Sequence, residues 1–342
     1  METGTLELRN LIQGFKLSCQ TECKSPRTVE WYTSFLHRFH NFLERNNCPT
    51  DVNYLNKSHI RGFIRYLQVE ARVPHTGTPL SPATIQGYIR TLKAFFSWAT
   101  REEYLRSNPM AVISMPKSPI KIISTFTDEQ MAKLTDVCLR SNVNGHRNLT
   151  ILLLFLDSGL RVSELVGIDL DDVNVSEGQI IIRQGKGKKE RIVPVGSIVQ
   201  KSLWKYINLY RPKPLTDNIT KLFLSDNGLP LTNSGIQQMM RRLASRAGIT
   251  RVRCSPHTFR HSFAKRYLMN GGDIFSLQRI LGHSSLASVR LYLNLFPCDI
   301  KRQHQRFSPV DRLADSRSIY PMIRSSMYFN PKTRVTGGDP LS

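Results

Sequence analysis

Residues 149–165 read LTILLLFLDSGLRVSEL. The first eight are apolar apart from one threonine, which predicts a helix buried on all sides in a large core. A glycine turn and Arg161 follow, so we expect the arginine to be held rigidly at the end of that helix. Glu164, three residues further on, can fix the guanidinium by a charge-assisted hydrogen bond. A surface salt bridge between the two side chains explains the pattern equally well.

The chain before this segment predicts a small all-helical bundle over residues 5–112. Two of its helices are expected to start at the pairs Ser25-Pro26 and Ser81-Pro82, and a third near Lys57. Apolar residues recur after each start at steps of three or four. No strand-like alternation is present, so the helices must pack on one another. Residues 113–125 have no helical period and predict a linker.

A second, mixed domain is predicted over residues 126–298, followed by a basic tail at 299–342. Thr127 opens a capping-box pattern, which marks a helix start. Residues 179–183 and 190–195 are short β-branched runs and predict a hairpin. The rest of the domain reads as helical, and the polar tail is expected to be partly disordered. The predicted fold class is therefore mainly α with a small β-hairpin.

The composition points to a nucleic-acid partner. The 342 residues include 48 basic and 26 acidic side chains, a formal charge of +22, and such an excess calls for a polyanion or a membrane surface. No apolar run approaches the roughly 20 residues of a membrane span, and residues 1–9 lack the features of a secretory signal. We expect a cytoplasmic protein without a membrane partner, on the nucleoid if it is bacterial. The six cysteines show no C-x-x-C spacing and are interpreted as reduced thiols.

The predicted hairpin has a basic tip at residues 185–191, GKGKKER. Glycines on both sides of Lys186 allow a sharp turn and let the ammonium group reach a phosphate or a leaving oxygen. Solvated turns and nonspecific DNA-contact loops have the same composition. By composition alone, those two interpretations are the more common ones.

A second basic segment, residues 255–261, reads SPHTFRH. The Ser-Pro pair predicts a helix start, which places His257 and Arg260 on one face of the first turn, where the helix dipole also favours an anion. This predicts a phosphate cradle. A metal site formed by His257, His261 and His283 is the competing interpretation, but the sequence offers no H-E-x-x-H glutamate. We therefore expect no metal.

The last segment is Leu281-Gly282-His283, followed nine residues later by Tyr292. On a helix, Tyr292 falls at the margin of an apolar stripe, which makes it both positioned and reachable. Packing is the commoner role of a tyrosine, because a free phenol has a pKa near 10 and needs activation before it can act as a nucleophile.

Together these segments resemble the tyrosine recombinase family, also called the phage integrase family. The motifs that carry the resemblance are the S/T-G-L-R-x-S-E-L box, the G-K-G hairpin, the H-x-x-R box and L-G-H with its downstream tyrosine. All are intact between Asp157 and Tyr292. The resemblance implies a helical SAM-like core-binding domain before a mixed α+β catalytic domain. The catalytic residues that it implies are Arg161, Lys186, His257, Arg260, His283 and the nucleophile Tyr292, with Glu164 in support.

The resemblance also implies an activity and partners. A family member cuts and rejoins double-stranded DNA through a 3′-phosphotyrosyl intermediate and a Holliday junction, without a cofactor or metal. It acts as a homotetramer on two synapsed sites, with accessory DNA-bending proteins as optional partners. A C-terminal segment docks on the neighbouring protomer, and residues 299–315 are the candidate for it here. Two alternatives stay open: a type IB topoisomerase, which a relaxation assay without a recombination site would reveal, and a DNA-binding regulator without catalysis.

Overall fold

The structure is a computed structural model, in which the chain forms two compact units, residues 1–121 and 122–342. Each unit encloses a hydrophobic core of its own. The finer domain limits stay predictions. The structure describes residues 6–116, 124–141, 144–183, 190–282, 304–305 and 307–310.

The first unit is helical, as the apolar spacing predicts. The two Ser-Pro starts are confirmed, since Ser25 and Ser81 each accept a hydrogen bond from the backbone three residues on, at 3.2 Å. Buried aromatic rings fill the core, among them Phe39, Phe63 and Phe95. Ile113 packs in the same core. The helices are α1 (Leu8–Thr21), α2 (Pro26–Arg45), α3 (Lys57–Val69) and α4 (Pro82–Arg101), with a 3-10 turn at Val52–Tyr54.

The second unit is built around the apolar helix of residues 149–156. Ile151, Leu154 and Phe155 are fully buried there, so the prediction of a helix deep in a larger core is confirmed. The capping box at Thr127 is also confirmed, because its hydroxyl and the Gln130 side chain bond each other's backbone N–H groups. The helices are α5 (Asp128–Leu139), α6 (Gly145–Ser158), α7 (Val162–Gly167), α8 (Ser197–Lys205), α9 (Asn233–Arg246), α10 (Pro256–Met269) and α11 (Ile274–Leu281).

A small antiparallel sheet lies on this core. The predicted hairpin forms from β2 (Gln179–Ile182) and β3 (Arg191–Pro194), with Ile182 opposite Arg191. A third strand, β1 (Val173–Asn174), pairs with β2, and the sequence did not predict it. The fold is therefore mainly α with a small sheet, as predicted. The basic tip at residues 184–189 lies outside the described residues.

One stretch of the second unit differs from its prediction. The sequence predicts helix at residues 211–232, but they form turns and isolated bridges. Prolines at 212, 214 and 230 remove backbone donors, and Gly228 takes a left-handed φ of +71°. Arg211 supports the irregular backbone by donating to the carbonyl oxygens of Lys221 and Leu222.

Among the helices of the described ranges, none is long and apolar enough to cross a bilayer.

Candidate active site

Arg161 lies at the start of α7, directly after the turn that ends α6. Its Nη1 atom donates to Oε1 of Glu164 at 2.7 Å, and its backbone N–H donates to Oε2 at 2.8 Å. The Glu164 side chain is 1% exposed, whereas that of Arg161 is 28% exposed. The ion pair is thus anchored in the protein interior, while the guanidinium keeps access to solvent. The surface salt bridge is the wrong interpretation of this pattern.

Glu164 is held by two arginines rather than one. Arg191, the first residue of β3, donates from Nη1 to Oε1 at 3.0 Å and from Nη2 to Oε2 at 2.9 Å. Burial would raise the pKa of the Glu164 carboxyl, but the hydrogen bonds and charges of Arg191 and Arg161 outweigh it, so the pKa lies below its usual value. The carboxylate therefore stays ionised and keeps both guanidinium groups oriented.

Arg260 is buried on the second turn of α10, with 6% of the residue exposed. Its Nη1 atom donates to the carbonyl oxygen of Gly159 at 2.6 Å, and its Nη2 atom donates to that of Leu281 at 2.7 Å. These bonds tie α10 to the turn before Arg161 and to the end of α11. Residues from three distant parts of the sequence therefore meet at one place.

His257 occupies the first turn of α10, which the Ser255 hydroxyl caps by accepting from the Thr258 N–H at 3.3 Å. Partial burial lowers the pKa of the His257 imidazole, and the positive charges of Arg260, Arg253 and Arg161 lower it further. The side chain is therefore neutral at pH 7 and able to accept a proton.

The C-terminal end of α11 is the meeting point of the site. Three successive carbonyl oxygens each accept from a different arginine. Gly282 closes the helix in a left-handed conformation with φ +63°, and His283 is the next residue in the chain. The three pairs are Arg191 with Ile280 at 3.0 Å, Arg260 with Leu281 at 2.7 Å and Arg161 with Gly282 at 3.4 Å.

Three of the predicted catalytic residues, Lys186, His283 and Tyr292, lie outside the described residues. The structure nevertheless describes the chain on both sides of the hairpin tip and up to Gly282. The metal interpretation also involves His283, so it stays untested. Across the described ranges, no three side chains of His, Cys, Asp or Glu group together as a metal site would require.

Sequence reasoning missed Arg191 and Arg253. In the sequence, Arg191 is only one residue of a basic tip, because its partners Glu164 and Ile280 are 27 and 89 positions away. Arg253 precedes the Ser-Pro helix start by two residues, and nothing in the local pattern indicated its effect on His257. Only the tertiary fold brings Arg191 to the site, whereas Arg253 lies four positions before His257 in the chain.

Comparison with known proteins identifies the class. Residues 124–297 match the phage integrase family, and residues 10–117 match the phage integrase SAM-like domain. The tyrosine recombinase XerD of Staphylococcus saprophyticus is 33% identical over 286 residues, which cover 83% of this chain and 93% of that protein. XerD of Staphylococcus haemolyticus is 37% identical over 230 residues, which cover 67% of this chain and 77% of that protein.

Solved structures share the fold at low sequence identity. The Tn1549 transposon integrase in complex with transposon right end DNA has a TM-score of 0.68 at 20% identity, covering 87% of this chain and 99% of that one. The XerH site-specific recombinase bound to palindromic difH substrate has a TM-score of 0.66 at 23% identity, covering 83% of this chain and 80% of that one.

The fold, the site and these relatives together define an enzyme of site-specific DNA recombination. The chain belongs to the phage integrase family of tyrosine recombinases. These relatives do not favour the two alternative functions, a type IB topoisomerase and a DNA-binding regulator without catalysis.

Proposed function

We propose that the protein cuts double-stranded DNA at a specific site by forming a covalent bond between the DNA and Tyr292. It then joins each cut strand to a different DNA end. The observation that carries the proposal is the meeting of Arg161 and Arg260 at the end of α11. Each donates to one of two successive carbonyl oxygens, those of Gly282 and Leu281, immediately before His283. Two cations held beside one turn suit a phosphodiester.

In the cleavage step, the phenolic oxygen of Tyr292 attacks the scissile phosphorus. The new O–P bond forms as the bond from phosphorus to the 5′-oxygen breaks. His257, neutral because of its lowered pKa, accepts the phenolic proton. Lys186 gives a proton to the departing 5′-oxygen. The product is a 3′-phosphotyrosyl ester, which conserves the bond energy until another 5′-hydroxyl attacks it, so no nucleotide cofactor is consumed.

The arginines act on the phosphorane that forms between these two events. Negative charge builds on its non-bridging oxygens, and Arg161 and Arg260 stabilise that charge with fixed donors. Glu164 keeps the Arg161 guanidinium in place through its 2.7 Å hydrogen bond. Together with His283, the two arginines provide the electrostatic stabilisation that a metal ion supplies in other phosphoryl-transfer enzymes.

The proposed partner is double-stranded DNA, bound by both the helical domain at residues 5–112 and the catalytic domain at 126–298. The formal charge of +22 supports phosphate contacts as the main source of affinity. A homotetramer on two synapsed sites would exchange strands through a Holliday junction, with the tail at 299–342 docked on a neighbouring protomer. Accessory DNA-bending proteins would assist where the sites require it.

A nicked suicide substrate tests the proposal. Wild-type protein should accumulate as a covalent adduct whose modified peptide contains Tyr292, and cleavage should persist in EDTA. Tyr292→Phe should bind DNA with unchanged affinity and form no adduct, because only the nucleophilic oxygen is removed. An adduct on Tyr267 or Tyr320 would overturn the assignment, and loss of cleavage in EDTA would favour the metal site instead.

A further inference from the structure

Arg191 connects three parts of the second unit, residues 122–342, through one guanidinium group. Two of its nitrogen atoms bind both oxygens of the buried Glu164 carboxylate, at 3.0 and 2.9 Å. The third, Nε, donates to the carbonyl oxygen of Ile280 at 3.0 Å. The Arg191 side chain is 14% exposed, so these contacts are largely shielded from water.

The three parts are those that must be aligned for catalysis. Glu164 holds Arg161. Ile280 lies in the last turn of α11, shortly before His283 in the chain. Arg191 itself begins the strand that follows the tip bearing Lys186. Gly282 packs directly on the same guanidinium, since a Cβ at that position would lie 3.0 Å from the Arg191 Cζ atom. A displacement of Arg191 would therefore disturb Glu164, the end of α11 and the start of β3 together.

The other strand of the hairpin, β2, is followed by an arginine that serves as a comparison for Arg191. Arg183, the residue after β2, pairs with Asp172, whose side chain is 2% exposed. That ion pair anchors the hairpin as well, but the Arg183 side chain is 54% exposed. Neither Arg183 nor Asp172 donates to or accepts from Arg161, Glu164 or residues 280–282 in any hydrogen bond of the described ranges. Arg183 and Arg191 therefore both anchor the hairpin, and Arg191 in addition contacts Glu164 and the end of α11.

We propose that Arg191 is a positioning residue that sets Arg161, through Glu164, and the 280–282 turn in one fixed arrangement. The proposal rests on the function given above. A planar guanidinium is required, because its three nitrogen atoms reach both carboxylate oxygens and the carbonyl oxygen from fixed positions, whereas a lysine carries all its donors on a single nitrogen. Misplacing an aligned group by about 1 Å can slow a reaction by roughly 10²-fold.

Single-turnover cleavage of the suicide substrate at saturating protein tests this role, with Arg191→Lys compared with its matched control Arg183→Lys. We expect Arg191→Lys to cleave about 10- to 100-fold more slowly with little change in DNA affinity, and Arg183→Lys to cleave close to the wild-type rate. Thermal unfolding of both variants establishes that they are folded at the assay temperature. Equal rates for the two lysine variants would overturn the proposal.

A substrate with sulfur in place of the bridging 5′-oxygen separates alignment of Arg161 from mere support of the hairpin. Sulfur leaves without a proton, so it compensates for a misplaced acid but not for a misplaced Arg161. Arg191→Lys should stay slow on this substrate. Full restoration of the wild-type rate would mean that Arg191 supports only the hairpin, and the proposal would be wrong.

Glu164→Gln alters the other partner of the Arg191–Glu164 ion pair. It therefore tests the same contact even if Arg191→Lys does not fold. It should slow cleavage comparably, again without rescue by sulfur, and a wild-type rate would contradict the proposal. Wild-type protein and Arg161→Ala complete the set. If the wild type forms no Tyr292 adduct, or if Arg161→Ala cleaves normally, the proposed function fails rather than the role of Arg191.

Discussion

The Nη1 atom of Arg260 lies 2.6 Å from the carbonyl oxygen of Gly159, although the two residues are 101 positions apart in the chain. The glycine takes a left-handed conformation with φ +60°. A Cβ there would lie 2.4 Å from the Phe263 ring and 2.7 Å from the Leu281 side chain. The turn can therefore offer its carbonyl to Arg260 only while residue 159 has no side chain.

Gly159→Ala should both destabilise the second unit and impair cleavage. The strained φ and the two close contacts predict a loss of about 2–4 kcal/mol in the free energy of unfolding, and Arg260 loses its aligned acceptor. Urea unfolding and single-turnover cleavage measure the two effects. Gly248→Ala is the matched control, because Gly248 has φ +63° but a Cβ there would meet nothing within 4 Å. Equal losses in the two variants would contradict the packing argument.

Glu164→Gln should lower stability by about 3–5 kcal/mol at pH 7, because it leaves two guanidinium groups without their buried counter-charge. The pKa of Glu164 is lowered in the folded protein. Its contribution to stability is therefore complete above its unfolded pKa of about 4.5 and is lost as the pH falls through the folded value.

The stability gap between wild type and Glu164→Gln should accordingly narrow as the pH falls below about 4.5. Urea unfolding at a series of pH values between neutral and acidic conditions measures this gap. A gap that stays constant, or that widens in acid, would show that the carboxylate is not the ionised anchor of Arg161 and Arg191.

The acid limb of the cleavage rate should report on His257. A base must be unprotonated, so the rate should fall as the pH drops through the His257 pKa, which lies below the ordinary value of about 6.5. Arg253 contributes to that lowering. Arg253→Gln should therefore move the midpoint of the limb to higher pH in single-turnover assays at saturating protein.

Arg251→Gln is the matched control for this prediction. Arg251 is exposed like Arg253 and also basic, but it is not among the charges that shift the pKa of His257. The control should leave the midpoint where it is in the wild type. If both variants shift it equally, the limb follows general electrostatics rather than His257.

Much of this architecture could be predicted from local patterns. The Ser-Pro starts at Ser25 and Ser81 and the capping box at Thr127 are signals in which a few adjacent residues satisfy the first backbone donors of a helix. The pairing of Arg161 with Glu164 could be predicted for the same reason, because the residues are three apart.

What the sequence could not predict depends on distant partners. Arg191 acquires its role from residues 27 and 89 positions away. β1 has only two residues and exists because it pairs with β2. Arg211 supports a non-helical segment through carbonyl oxygens 10 and 11 positions further on. In each case tertiary contacts decide the structure, and no local period indicates them.

Lys186 is the predicted acid whose assignment most needs a test, because Lys188 and Lys189 are close enough in sequence to replace it. Lys186→Ala should slow cleavage on the order of 10²- to 10⁴-fold, as expected for loss of proton transfer, while Lys188→Ala and Lys189→Ala should mainly weaken binding.

The substrate with a bridging 5′-sulfur makes the test of Lys186 specific. Because the thiolate leaves without a proton, this substrate should restore cleavage by Lys186→Ala. Arg161→Ala and Arg260→Ala should stay inactive on it, since they act on the non-bridging oxygens. Rescue of Lys188→Ala but not of Lys186→Ala would place the acid two residues further along the hairpin.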